Sequence, residues 1–143
     1  MADVHSKEVR SYNMSRIKGK DTKPEILVRK FLFAKGLRYR LHDKKMAGKP
    51  DIVLVKYRTV VFIHGCFWHG HEGCKYFVVP KTRTDWWLNK INKNKEKDND
   101  SILKLNEEGW HTIVVWECDL KSKKKEEVLN NLYQKIVNWS CYL

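Results

Sequence analysis

The stretch FIHGCFWHGHEGC, residues 62–74, holds three histidines, two cysteines, three glycines and an adjacent Phe-Trp pair. It continues an apolar run that begins at Val60, which predicts a strand ending in an irregular loop. A packed core has no need for so many metal-ligating side chains within thirteen residues. Loops that leave a rigid element commonly carry sites, so we expect a metal site and a hydrolytic site at this strand end.

The composition indicates the kind of partner. The chain has 143 residues and a formal net charge of +12, and six Trp, six Tyr and five Phe accompany that charge. Basic side chains neutralise phosphates, and aromatic rings stack on bases or insert between them. The composition therefore favours a nucleic-acid partner over a merely basic soluble protein.

The cellular compartment is also predicted from the sequence. No apolar run approaches the roughly 20 residues that span a bilayer, and the first residues lack the apolar block of a signal peptide. We expect a cytoplasmic monomer without a membrane partner, whose four cysteines are ligands or buried thiols rather than disulfides.

Two regions are distinguished along the chain. Residues 1–20 are polar and basic without an apolar period, which predicts a mobile arm that orders on DNA. Residues 21–143 are predicted to form a single domain, a length that suits one core. Its first helix is expected to begin at Thr22, which fits a capping box with Glu25, and to end at Gly36. The expected inward stripe of this helix is Leu27, Phe31 and Ala34.

Hydrophobic periodicity predicts the remaining elements: strands at residues 37–41, 52–55, 60–63 and 111–116, and helices at 84–108 and 126–139. A hairpin turning at residues 56–57 would place Asp51 opposite Phe62, with His64 diagonally on the same face. On the long helix Asp98 shares the inward stripe with apolar residues, so this carboxylate requires a partner.

A Cys3His set is predicted to bind structural zinc through Cys66, His71, Cys74 and Cys118. The metal would tie a loop that has few apolar side chains to the core. His69 is an alternative to His71 as the imidazole ligand. In the alternative without metal, Cys66 and Cys118 are buried thiols and His71 is solvated. Cys141 is left unassigned.

The hydrolytic site is predicted around Asp51, which opens a strand after the turn at residues 48–50. The Asp51 carboxylate and the main-chain carbonyl of Ile63 are hard oxygen ligands of the kind that Mg²⁺ prefers. His64 and His69 have intrinsic pKa values near neutrality, which suits proton transfer to or from water or a leaving oxygen.

Two further acids, Glu25 and Asp98, are predicted to support this centre from its outer shell. In the simpler interpretation Glu25 only closes the capping box, Asp98 only binds a lysine, and Asp51 is only a turn residue. His42 is interpreted as a surface residue of its strand.

The adjacent aromatic residues Phe67 and Trp68 are predicted to insert into a base stack. Mismatched pairs unstack more easily than matched ones, so insertion can discriminate between them. The alternative is that both residues pack in the core. On the long helix the stripe predicts a core position for Trp87 and an exposed one for Trp86. Met14 in the arm is a weaker candidate for insertion.

At these motifs the chain resembles the very-short-patch repair (Vsr) endonucleases. The resemblance rests on R-S-x-N-M-S-R-I at residues 10–17, G-K-P-D at 48–51, F-x-H-G-C-F-W-H at 62–69 and W-E-C at 116–118. It extends from the first residues to about Trp139. The His-Gly-Cys-Phe-Trp-His string is highly specific, whereas Pro-Asp alone is a weak signal.

The resemblance implies a fold like that of restriction endonucleases, a central mixed sheet flanked by helices. It implies a Mg²⁺-dependent nick beside the thymine of a T·G mismatch left by deamination of 5-methylcytosine. The expected partners are mismatched DNA, a cytosine methyltransferase that acts on the same site, and mismatch-repair proteins as candidates. Competing hypotheses are a restriction-type nuclease that cuts matched duplexes and a zinc-stabilised DNA-binding module without catalysis.

The resemblance also implies residue roles. Asp51 matches the metal-binding carboxylate, His64 and His69 the catalytic histidines, Glu25 and Asp98 the outer acids, and Cys66, His71, Cys74 and Cys118 the zinc ligands. Phe67, Trp68 and Trp87 match the inserting aromatic residues, and Met14 the intercalating residue of the arm. For Trp87 this conflicts with the core position that the stripe predicts. Phe62-x-His64 stands where related nucleases carry Glu-x-Lys, so no lysine is expected in the site.

Overall fold

A four-stranded sheet in the order β1-β2-β3-β4 organises the fold, in a computed structural model that describes residues 22–139. The strands are β1 (Arg40–Leu41), β2 (Ile52–Leu54), β3 (Thr59–His64) and β4 (His111–Trp116). The helices are α1 (Lys23–Ala34), α2 (Thr84–Glu107), α3 (Glu117–Lys121) and α4 (Lys125–Trp139). The predicted arm at residues 1–20, which includes Met14, lies outside the described residues, as does Cys141.

The predicted hairpin register is confirmed. β2 and β3 are antiparallel and pair Ile52 with Val61, which continues to Asp51 opposite Phe62. A 3-10 turn (Val55–Tyr57) and Arg58 at φ 50° connect the strands, so a left-handed residue closes the hairpin without a favoured turn dipeptide. β3 and β4 are parallel, β1 and β2 antiparallel, and the sheet is mixed as predicted.

Helix α1 starts where predicted, but its buried face differs. The Thr22 hydroxyl accepts a hydrogen bond from the Glu25 N–H at 3.4 Å, which confirms the cap. The buried residues are Glu25, Val28 and Leu32, whereas Ala34 of the predicted stripe is exposed. Consecutive apolar residues at 26–28 allow more than one stripe, and packing against α4 and the sheet selects Val28 and Leu32.

The two sheet faces support separate apolar clusters. One cluster joins α1 and α4 to Ile52, Leu54, Val61, Ile113 and Val115, and the other joins Leu105 of α2 to Val53, Val60 and Phe62. Alternate side chains of β2 and β3 enter opposite clusters, as the period of two requires. Helix layers therefore cover both faces, and the polar end of β3 remains for a site. Within residues 22–139, no helix combines the length and apolar character that a bilayer span requires.

Candidate active site and metal centre

A cavity of about 550 Å³ opens where β3 ends. The structure brings the five predicted catalytic side chains to its walls: Glu25 from α1, Asp51 before β2, His64 at the end of β3, His69 from the next loop, and Asp98 from α2. These residues are distributed over more than seventy positions of the sequence. Parallel pairing of β3 with β4 requires the crossover through α2, and this crossover places Asp98 beside the loop that follows β3.

Asp51 is oriented by the neighbouring strand. Its Oδ2 accepts a hydrogen bond from the Ile63 N–H at 2.7 Å. Burial raises the pKa of Asp51 above its usual value, Glu25 adds to the rise, and the hydrogen bond from Ile63 opposes it. A cation beside Asp51 would offset this cost of burying negative charge.

His42, which the sequence predicts on the surface of its strand, is partly buried beside two of the predicted site residues. Its side chain lies between two acids, with Nε2 3.5 Å from Glu25 Oε2 and Nδ1 3.9 Å from Asp51 Oδ1. A nitrogen of the Arg29 guanidinium is 2.8 Å from Nε2. Because a guanidinium only donates hydrogen bonds, Nε2 is the acceptor and Nδ1 carries the ring hydrogen facing Asp51. The sequence feature that could have predicted this position is the pairing of β1 with β2, because it aligns His42 with Asp51.

The second group of the cavity is built on a histidine pair. His69 Nδ1 lies 2.6 Å from Asp98 Oδ2, and the His64 ring stacks on the His69 ring at 3.8 Å and 3°. Asp98 therefore has the partner that its position on the stripe requires, and that partner is a histidine rather than a lysine. Burial lowers the pKa of His64 to about 4, His69 contributes to the decrease, and Asp98 opposes it. His64 is thus neutral near pH 7 and able to accept a proton.

Two further charged residues line the same cavity, and the sequence analysis assigned neither of them. Lys49 belongs to the turn before Asp51, and Glu117 begins α3. Glu117 Oε1 is 2.7 Å from Lys121 Nζ. Glu117 directly follows Trp116, which pairs with His64. The parallel alignment of β3 with β4 could therefore have predicted that Glu117 lies near the site. The sequence predicts the turn at residues 48–50 but not that the Lys49 side chain lies on the cavity wall.

The Cys3His set also converges. One ligand atom from each of Cys66, His71, Cys74 and Cys118 lies within 4.8 Å of the others. The loop passes Gly70 at φ 61° and Gly73 at φ 73°, a region that favours glycine. His69 binds Asp98 instead, so the structure selects His71 as the imidazole of this cluster.

The pKa of Cys118 and the types of donor atom indicate that this cluster suits a metal ion. Burial, followed by hydrogen bonding with Cys66 and Cys74, raises the pKa of Cys118 to about 12. The Cys118 thiol therefore resists ionisation unless a cation joins the cluster. Three sulfurs and one imidazole nitrogen form the donor set of a tetrahedral structural metal site. This donor set favours a site for one metal ion over separate buried thiols.

A Trp ring connects the two sites. Trp116 stacks on His71 at 4.1 Å and 4°, and its ring meets His64 edge-on at 5.3 Å and 75°. The Cys3His cluster and the histidine pair therefore share one packed aromatic residue, and displacement of the loop at His71 would change the support of His64.

A group of aromatic side chains reaches the cavity through Trp68. Trp68 is 37% exposed and lines the cavity, and its carbonyl accepts a hydrogen bond from Asn94. Phe67 packs at 5.1 Å from Trp68 and 5.5 Å from Trp87. Trp87 is only partly buried and contacts these loop rings rather than either core cluster, while Trp86 is 47% exposed. The core position that the stripe predicts for Trp87 is therefore wrong in detail.

The fold and the site define a nuclease. A mixed sheet presents carboxylates and imidazoles in one cavity, beside exposed aromatic rings, on a chain of net charge +12. The sequence model of the family described as "DNA mismatch endonuclease Vsr" matches residues 2–75. The chain belongs to this family and is a DNA endonuclease.

Individual relatives are similar in sequence to this chain over most of its length. The DNA mismatch endonuclease Vsr of Escherichia coli is 45% identical over 143 residues, which cover 99% of this chain and 89% of the relative. A type II nicking enzyme of Neisseria meningitidis serogroup A, V.NmeAIP, is 54% identical over 137 residues, or 95% and 97% of the two chains. V.XorIIP of Xanthomonas oryzae, also a type II nicking enzyme, is 47% identical over 120 residues, or 84% and 88%.

Proposed function

We propose that this endonuclease nicks one DNA strand beside the thymine of a T·G mismatch left by deamination of 5-methylcytosine, in a reaction that requires Mg²⁺. The observation that carries the proposal is the gathering of Asp51, His64 and His69 around one cavity. The names of the relatives support mismatch recognition and strand nicking as its two components.

Asp51 and the main-chain carbonyl of Ile63 would hold the Mg²⁺, with Glu25 close enough to orient metal-bound water. Carboxylate and carbonyl oxygens suit this hard cation, and a bound cation would offset the burial that raises the pKa of Asp51. When bound, Mg²⁺ supplies Lewis acidity to a phosphodiester and lowers the pKa of a coordinated water.

His64 and His69 then move the protons of hydrolysis. His64, whose pKa is about 4, is neutral and accepts a proton from the attacking water. His69 donates its Nδ1 hydrogen to Asp98, which leaves Nε2 as the ring nitrogen available for proton exchange. Asp98 thus orients His69, as a carboxylate orients a catalytic imidazole in other hydrolases.

The Cys3His cluster would hold a structural Zn²⁺ through Cys66, His71, Cys74 and Cys118. This metal would fix the loop that carries His69 and Trp68 to the start of α3. Phe67, Trp68 and Trp87 would then insert at the mismatch. Because Trp68 lines the cavity, that distortion would lie beside the reacting phosphate.

The organisation of the whole protein completes the proposal. Residues 1–20 act as a DNA-binding arm with Met14 as an intercalating residue, and residues 21–143 form one endonuclease domain. The protein works as a cytoplasmic monomer on mismatched duplex DNA, at sites modified by a cytosine methyltransferase, and mismatch-repair proteins are candidate partners.

The test uses end-labelled duplexes that are identical except for T·G, T·A or C·G at one position, with and without Mg²⁺. We expect a single-strand nick in the T·G duplex with Mg²⁺ only. Asp51→Asn keeps the shape of the side chain and should lower the nicking rate by at least roughly a hundredfold while DNA binding is retained. Double-strand cleavage of matched DNA would instead support a restriction-type nuclease, and binding without cleavage a non-catalytic module.

A further inference from the structure

The carboxylates of the cavity repel an anionic substrate. Four carboxylates line it, from Glu25, Asp51, Asp98 and Glu117. Two of them have cationic partners outside the lining, Arg29 at 3.0 Å from Glu25 and Lys121 at 2.7 Å from Glu117, whereas within residues 22–139 no lysine or arginine lies at ion-pair distance from Asp51 or Asp98. A phosphodiester is itself anionic, so its approach is opposed unless positive charge is also present. Among the described residues that line the cavity, Lys49 is the only lysine or arginine.

We propose that Lys49 binds the DNA phosphate that enters this cavity and neutralises its charge during cleavage. The inference rests on the proposed function, since it assumes that the scissile phosphate occupies the cavity of Asp51, His64 and His69. It adds a cationic side chain to a site for which the sequence analysis expected no lysine.

The backbone around Lys49 is held in place on both sides. A Cβ on Gly48 would lie 2.7 Å from Ser101 Cβ of α2 and 3.1 Å from the Phe62 ring, so this turn is packed tightly against α2 and β3. Pro50 is fully buried, and the Lys49 N–H donates a hydrogen bond to the Met46 carbonyl at 3.1 Å. The backbone at Lys49 is therefore fixed, so binding of a phosphate by its side chain does not require the loop to become ordered.

The backbone conformation of Lys49 makes glycine a suitable replacement for it. Its φ is 51°, in the left-handed region where glycine is preferred and a lysine is strained. A glycine here would relieve that strain, so Lys49→Gly removes the ammonium without a backbone cost.

The ammonium of Lys49 is available for a ligand. Within residues 22–139 it has no carboxylate oxygen at ion-pair distance, whereas Lys95 is 3.0 Å from Glu72 and Lys121 is 2.7 Å from Glu117. A phosphate oxygen is the natural partner for such a group, because an ammonium donates up to three hydrogen bonds.

The experiment compares Lys49→Gly, Lys49→Arg and the matched control Lys45→Gln in the full chain. Lys45 lies in the same loop and is exposed, but it does not line the cavity. Affinity for a T·G duplex is measured by fluorescence anisotropy across a series of KCl concentrations, and the nicking rate is measured under single-turnover conditions. Melting temperature reports folding.

We expect Lys49→Gly to melt at or above the wild-type temperature, because glycine accepts φ 51° without strain. Its plot of log affinity against log salt should lose about one unit of slope, as one phosphate contact predicts. Its nicking rate should fall by roughly tenfold or more. Lys49→Arg should retain most of the slope and rate, and Lys45→Gln should nick like the wild type.

An unchanged salt slope and nicking rate in Lys49→Gly would overturn the proposal. Equal losses in Lys49→Gly and Lys49→Arg with folding intact would also overturn it, because the positive charge would then not be the property that matters. If the wild type bound DNA but did not nick the T·G duplex, the proposed function would fail, and the salt slope would still report separately on the phosphate contact.

Discussion

Replacing Asp98 by asparagine tests whether this carboxylate orients the proton-transferring His69. The two residues are joined by a 2.6 Å contact between His69 Nδ1 and Asp98 Oδ2. Asparagine has nearly the same shape, so it removes the charge, and with it the charge-assisted hydrogen bond, while disturbing the packing little. We therefore expect folding to be preserved and the cleavage step to be slower.

The size of the effect follows from the geometry. A hydrogen bond to a charged group contributes about 1.5–3 kcal/mol. The His69 and Asp98 side chains are 28% and 24% exposed, so solvent screening places this contact in the lower half of that range, about 1.5–2 kcal/mol. Since about 1.36 kcal/mol corresponds to a factor of ten in rate, the nicking rate should fall roughly 10- to 30-fold.

The assay is single-turnover nicking of a T·G duplex at saturating enzyme, with DNA affinity measured separately. Asp100→Asn, an exposed acid on the same helix, is the control for the loss of one negative charge. Asp98 raises the pKa of His64, so Asp98→Asn should also shift any acid limb that His64 governs to lower pH. A nicking rate within about twofold of the wild type would refute the orienting role of Asp98.

Three further predictions address the metal, the insertion and the pH dependence. Cys118→Ser should abolish the bound zinc detected by elemental analysis of the purified protein and lower its melting temperature, whereas a wild type without zinc would contradict the assignment. Trp68→Ala should lower affinity for a T·G duplex by roughly tenfold, measured by anisotropy, with a smaller change for matched DNA. Burial and Lys135 lower the pKa of His111, so the unfolded state binds more protons as the pH falls below about 6.5. Stability to urea should therefore decrease from pH ~7.5 to ~5.5, and the decrease should be smaller in His111→Gln.

The parts of the fold that depend on local periodicity were predictable. A side-chain period of two fixes the hairpin register, so the sequence alone aligns Asp51 with Phe62. A period of 3.6 placed Asp98 on the inward stripe of α2, and its need for a partner followed from the cost of an unpaired carboxylate there. For α1 the same reasoning failed, because adjacent apolar residues support several stripes and only packing selects one.

The amino-acid sequence by itself determined the chemistry: a Cys3His set, a carboxylate at a strand start, two imidazoles after a strand and an excess of positive charge. Tertiary structure decided which groups meet. His69 and His71 are two residues apart and chemically alike, yet one binds Asp98 and the other joins Cys118, because α2 and α3 approach the loop from different sides. His42 meets Glu25 and Asp51 only through the pairing of β1 with β2, and Lys49 reaches the cavity only through the packing of Gly48. Such contacts depend on how distant segments cross, and no local pattern encodes that geometry.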